Sequence, residues 1–163
     1  KARMVMMGLP PLPPIKVFDT MLTARAEFGF TSNKLEWMTD KLTKTKKKKH
    51  EKFPGFELWK ECLADNPEAW EEMKLYNIDD VVSLEELYLV LRGWSTGHPN
   101  VAAYYEDEDT RCPKCGSTNL QARGRQHTQS GEYQRYHCGD CGGWSRSRYT
   151  LNSIAKRKSL LSN

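Results

Sequence analysis

The sequence predicts a mainly helical body followed by a small β unit stapled by a metal, and three observations carry that reading. Four of the five cysteines fall in two C-x-x-C pairs near the C-terminus, helical periodicity dominates the first hundred residues, and positive charge collects in the tail. The chain has 163 residues with 38% hydrophobic and 28% charged, and its mean hydropathy is -0.74. That is the size of one domain, or of one small domain with a satellite, and it is poor in core material. No apolar run approaches the roughly 18 residues of a membrane span. MVMMGL near the N-terminus is too short and wrongly flanked for a secretory signal. The chain is therefore expected in the cytoplasm. It opens on Lys1 and runs directly into helix, so an upstream part is expected.

The elements follow in order. A short apolar helix end leads into GLPPLPP, a connector too stiff and donor-poor for helix or central strand. Ile15 to Phe18 read as a brief strand. Asp19 or Thr20 caps a helix through Met21, Leu22, Ala24, Arg25 and Ala26 that stops near Gly29. A second helix follows Ser32 and Asn33, with Leu35, Trp37, Met38 and Leu42 as its apolar positions. The run TKTKKKKHEK reads as a solvated loop whose lysines would attract polynucleotide if they bordered a cleft. Phe53, Pro54 and Gly55 turn the chain into a helix over residues 56–64, where Cys62 is a small buried side chain.

Asn66-Pro67 opens the next helix, cap then proline. It runs to about Arg92, as one helix or as two joined near Asn77. Trp70, Met73, Val81, Leu84, Leu87, Tyr88 and Leu91 form its expected core stripe. Trp37, Trp59, Trp70 and Trp94 are read as core residues. Arg92, Trp94, His98 and Pro99 form a hinge into an acidic linker over residues 96–110.

Cys112-Pro-Lys-Cys115 and Cys138-Gly-Asp-Cys141 are separated by 22 residues. Two such knuckles match four thiolates around one tetrahedral zinc, with Gly116 and Gly142 supplying the turns. The rival reading, two disulfides or a redox pair, requires an oxidising compartment or a helix start. His127 and His137 are possible ligands, but four cysteines already close the shell. Tyr133 to His137 read as a strand entering the second knuckle of a zinc ribbon spanning 111–150, with a basic tail over 151–163. About 35 residues cannot build a core alone, so the metal replaces one.

Residues 111–163 carry ten basic against two acidic side chains, while residues 1–100 are balanced. Within the ribbon Arg123, Arg125, Arg135, Arg146 and Arg148 alternate with Tyr133, Tyr136, Trp144 and Tyr149. Arginines pair with phosphates and exposed rings stack on bases. Arg123, Arg125, Arg135, Tyr136, Trp144, Arg146 and Arg148 are the candidate nucleic-acid contacts here, joined by Asn33, Lys34 and the lysines Lys46, Lys47, Lys48 and Lys49. CPKCGS with YQRYHCGDCGGWSRSR resembles zinc ribbons of transposases and phage DNA enzymes.

Tyr76 and Asp80, in YNIDDV, are four apart and share a helix face. This segment resembles the Y-x-x-x-D motif of the DEDD 3'-5' exonucleases of the ribonuclease H-like superfamily. FDTMLTARAEF and SNKLEWMTDKL resemble that family's D-T-x-x-x-A-R and N-x-L-[DE] helices. The likeness is to phage and bacterial exonucleases related to the proofreading domain of B-family polymerases, and it covers about residues 1–100 plus the ribbon. It implies an α/β ribonuclease H-like exonuclease fold, present mainly as its C-terminal helices over 1–95. It also implies a two-metal reaction with Mg2+ or Mn2+, in which Asp80 is a metal carboxylate and Tyr76 orients the attacking water. Asp79 lies on another helix face, and Asp19 caps a helix. The family's D-x-E and F-D motifs are absent, and EDED at 106–109 has no strand around it. The resemblance therefore implies an upstream segment or second polypeptide that carries them. The implied substrate is DNA, with RNA left open, in a bacterium or phage-infected host, and a polymerase or other replication protein is the implied partner. The alternative is a non-catalytic nucleic-acid-binding or partner-docking zinc-ribbon protein.

Overall fold

A computed structural model describes residues 2–45 and 52–161. Six α-helices, one 3-10 turn and one three-stranded sheet make up the described chain: α1 (Ala2–Met6), α2 (Thr20–Glu27), α3 (Leu35–Leu42), α4 (Glu57–Leu63), α5 (Pro67–Leu91), the 3-10 turn Val101–Tyr104, β1 (Leu120–His127), β2 (Glu132–Cys138), β3 (Trp144–Arg146) and α6 (Ile154–Ser159). The lysine run Lys46 to Lys49 lies outside the described residues. No described helix is long and apolar enough to cross a membrane.

The 25-residue α5 is the spine, about 37 Å long at 1.5 Å per residue. It is a single helix and passes Asn77 without a break. Asn66 accepts the Glu68 amide at 3.1 Å and Pro67 takes the first turn, where its missing N–H costs nothing. Just before it, Asp65 adopts φ 57°, while Asn66 N–H reaches Glu61 O and Asp65 N–H reaches Cys62 O. This is a Schellman closure of α4, with an aspartate in the left-handed position usually given to glycine.

Two small cores sit at the two ends of α5. Leu58, Cys62 and Ala69 pack with Phe53 and Met73 between α4 and the start of α5. Ala24, Met38, Leu87 and Leu91 pack with Phe28, Phe30, Leu35, Trp37 and Leu42 where α2 and α3 meet its end. The inward stripe therefore runs Ala69, Met73, Tyr76, Asp80, Ser83, Leu87, Leu91. Val81 and Leu84, expected in the core, are exposed because α2 and α3 cover the Ser83–Leu87–Leu91 side of the helix. Leu75, Ile78, Val82 and Leu89 form a second, outward apolar stripe, with Ile78 57% exposed.

Two other expectations are revised. Ile15 to Phe18 form no strand, because the only sheet among the described residues is the ribbon; Phe18 instead packs edge-on against Tyr88 at 5.2 Å and against His98. Of the four tryptophans read as core, Trp37 is half-buried against Phe30, whereas Trp59, Trp70 and Trp94 are exposed. The acidic linker makes a defined contact with the start of the ribbon. Asp107 holds Arg111 through three hydrogen bonds of 2.9, 3.1 and 2.7 Å, and the guanidinium lies 4.3 Å from the Tyr105 ring centre.

Two carboxylates tie loops to helices. Glu86 accepts the Lys44 and Thr45 amides at 2.8 and 2.9 Å, and Glu27 accepts the amide and hydroxyl of Thr96 at 2.9 and 2.6 Å. These donors hold both carboxyls below the ordinary value of 4.5. Their contribution is thus present above about pH 4.5 and fades as the pH falls through the lowered values. A Glu27→Gln/Glu86→Gln double variant should melt below the wild type at pH 6.5, and the gap should narrow by pH 3. A gap of constant size in circular dichroism melts would remove ionisation from the account.

Candidate metal centre and nucleic-acid interface

Each C-x-x-C segment turns back on itself through one backbone hydrogen bond, Gly116 N–H to Cys112 O at 2.9 Å and Gly142 N–H to Cys138 O at 3.1 Å. Both glycines sit at positive φ, +77° and +70°, where a side chain would be strained. The two turns face each other. Cys112 and Cys141 sulfurs are 3.6 Å apart, Cys115 and Cys138 sulfurs 3.7 Å, and all four lie within 4.8 Å of one another. A tetrahedral ion with sulfur at about 2.3 Å has edges of about 3.8 Å, so the donor set fits a bound metal ion. All five cysteines are free thiols, and the close pairs run between the knuckles. Neither His127 nor His137 belongs to the group.

Electrostatics prepare the knuckles unequally. Burial pushes the Cys112 and Cys115 thiols up. At Cys138 burial acts in the same direction, but the backbone amides of Cys141 and Asp140 outweigh it and lower that thiol. Asp140 itself bridges the knuckles, accepting Ser117 Oγ at 2.5 Å and Asn119 Nδ2 at 2.7 Å, and these donors lower its carboxyl. A metal must displace protons here, so loading weakens as the pH falls.

The metal set is seated on the helical body. Lys114 Nζ donates to Gly93 O at 2.7 Å, and Val101 N–H donates to Pro113 O at 2.7 Å. A Cβ at Gly93 would stand 2.2 Å from the Cys141 carbonyl oxygen. Arg111 donates to Gly116 O at 3.0 Å, and a Cβ at Gly116 would stand 2.6 Å from the Tyr105 hydroxyl oxygen. None of these seats was read from the sequence; the closeness of Gly93 to α5's end was the available signal.

The sheet is antiparallel in order β1-β2-β3. His137 pairs with Trp144 and Arg135 with Arg146, and partners lie on one face. Strand alternation adds Tyr133 to that face. The rings and guanidinia interleave: Arg135 lies 4.2 Å from the Trp144 ring centre, Arg146 3.9 Å from Tyr133, and His137 4.9 Å from Trp144. Of the contacts expected from sequence, Arg135, Trp144 and Arg146 are brought together. Tyr136 faces the other way, paired with Ala122 and Ser145. Arg125 is drawn onto Glu132 at 3.0 Å, also on that opposite side. Arg123 stands at the bulge between Ala122 and Arg125, and Arg148 lies beyond β3 beside Tyr149. Tyr133 and His137 complete the face; counting every second residue from Arg135 finds both.

Tyr76 and Asp80 occupy the inward stripe of α5 between its two cores. The Tyr76 ring meets Trp59 of α4 edge-on at 6.3 Å, and one Asp80 carboxylate oxygen is shielded from solvent. Asn33 and Lys34 precede α3 and line a cleft between α2 and α3. In comparisons with known proteins, the chain matches no family model, no curated protein and no solved structure.

Two outcomes follow. Removing the metal with a strong chelator, or replacing Cys138→Ser, should unfold the β unit, seen as a changed Trp144 environment, while most helical circular dichroism persists. Gly93→Ala should cost about 1–3 kcal/mol, because the opposing atom is backbone and cannot rotate away. Thermal unfolding of the metal-loaded protein measures it.

Proposed function

We propose that this chain is a nucleic-acid-binding zinc-ribbon protein whose helical body forms part of a metal-dependent 3'-5' exonuclease acting on DNA. The observation that carries the binding half is the single ribbon face on which Trp144, Tyr133 and His137 interleave with Arg135 and Arg146. Guanidinia held over rings present donors to phosphate while leaving flat apolar surface for unpaired bases. Zinc suits four thiolates better than a hard cation does, and its role is structural, since a closed shell leaves no open position.

The catalytic half rests on Tyr76 and Asp80. Asp80 stands on the inward stripe between the two cores, where a carboxylate could hold Mg2+ or Mn2+ beside further carboxylates. Such ions would stabilise the attacking and leaving oxygens of phosphodiester hydrolysis. Tyr76, one turn earlier on the same face, would orient the water. The remaining carboxylates must come from an upstream segment or a second polypeptide. The outward stripe of Leu75, Ile78, Val82 and Leu89 favours such a neighbour, since a helix apolar on both sides is ordinarily buried on both. A replication protein such as a polymerase is a compatible context.

Binding is checked by fluorescence anisotropy with a labelled single strand. Trp144→Ala should weaken it by about 1–3 kcal/mol, and Arg135→Ala/Arg146→Ala should flatten the salt dependence by about 0.7 per arginine. Unchanged affinity in both variants rejects the ribbon face. In an assembly that degrades DNA, Asp80→Ala should abolish turnover and leave strand binding intact. Undiminished turnover removes Asp80 from the chemistry and leaves a non-catalytic binding protein.

A further inference from the structure

A cleft of about 480 Å³ opens between α2 and α3, lined by no ribbon residue and reaching Leu84 of α5, one turn beyond Asp80. Its floor is apolar, with Met21, Leu35 and Leu84. Its rim carries Arg25 from the last turn of α2 and Lys34 at the start of α3, and no carboxylate lines it. Neither cation is in an ion pair among the described residues, so both charges remain available to an anion. On the wall, Asn33 Oδ1 is shielded from solvent and accepts no hydrogen bond. A buried acceptor without a donor costs free energy that a suitable ligand recovers.

These three features call for different parts of one molecule. Two uncompensated cations call for a phosphate. An apolar floor calls for a flat ring, and an unmet amide oxygen calls for an N–H or O–H donor. Inorganic phosphate offers no ring, and an apolar ligand offers no anion. We propose that this cleft binds a nucleoside monophosphate unit, with its phosphate between Arg25 and Lys34, its base on Met21, Leu35 and Leu84, and an exocyclic amino or sugar hydroxyl donating to Asn33 Oδ1. The inference rests on the reading of the chain as a polynucleotide-handling protein, and it adds a site that neither the ribbon nor the proposed catalytic pair provides. Its ligand is either a free nucleotide or the 5'-phosphorylated end of a strand.

Calorimetric titration of the zinc-loaded full chain tests it with five probes: deoxyadenosine monophosphate, deoxyadenosine, inorganic phosphate, and a tetranucleotide with and without a 5'-phosphate. The monophosphate should bind at least tenfold more tightly than nucleoside or phosphate alone. Arg25→Glu/Lys34→Glu should reduce that affinity at least tenfold; both side chains are on the surface, and circular dichroism verifies the fold. Asn33→Leu gives an independent loss. A tetranucleotide that binds only when phosphorylated assigns the site to strand ends, whereas binding of the free monophosphate alone assigns it to a released nucleotide. Strand binding by the ribbon face is read separately in the Trp144→Ala anisotropy, so failure here and failure of the ribbon reading are separable. Equal affinity for monophosphate and inorganic phosphate, or full affinity in the Arg25/Lys34 variant, overturns the proposal.

Discussion

The β unit has almost nothing to stand on except sulfur. Its buried residues are Cys112 and Cys138 with the glycines Gly116, Gly131 and Gly143, and no large aliphatic side chain is enclosed there. A sheet with so little apolar interior cannot offset its own ordering entropy. The convergence of four sulfurs between two hairpin turns therefore determines whether β2 and β3 have a register at all, and the Arg–aromatic face exists only as a product of that register. That face is thus several residues removed from the interaction that creates it.

The same sulfur cluster is not an independent bead on a string. Gly93, two residues past the end of α5, receives the second knuckle's backbone, and Lys114 from the first knuckle bonds to the Gly93 carbonyl. On the far side, Arg111 grips Asp107, stacks on Tyr105 and donates to Gly116. Its side chain is only 18% exposed, so this ion pair is partly desolvated and better defined than a surface pair. Helical body, acidic segment and ribbon meet through backbone groups and planar charges, with little hydrophobic burial between them.

Local chemistry was legible in the sequence. The Asp19 and Asn66 caps, the proline start of α5, and the two glycine-terminated knuckles each follow from rules that need no more than four residues of context. The helical positions of α2 to α5 follow from periodicity. What could not be read was which side of α5 would be covered. Leu87 and Leu91 are buried while Val81 and Leu84 are exposed, although all four fit one apolar pattern, because the choice depends on where α2 and α3 land. The ribbon shows the same limit. Arg125 and Tyr136 look equivalent to Arg135 and Trp144 by composition, but pairing with β1 turns them to the opposite face, and only register decides that. The cleft between α2 and α3 was invisible for a similar reason: Arg25 lies in α2 and Lys34 in the turn before α3, and only the packing of the two helices brings them to one cleft.

β1 is an edge strand, with seven of its eight residues exposed, and a flat open edge is a template for pairing with another chain. The shift of register between Ala122 and Arg125, with Gly124 at φ +67°, kinks that edge, and Arg123 places positive charge at the kink. Two copies of this ribbon brought edge to edge would meet misaligned hydrogen-bonding groups and like charges. The bulge thereby discourages runaway strand addition and keeps a three-stranded sheet from growing into a fibre.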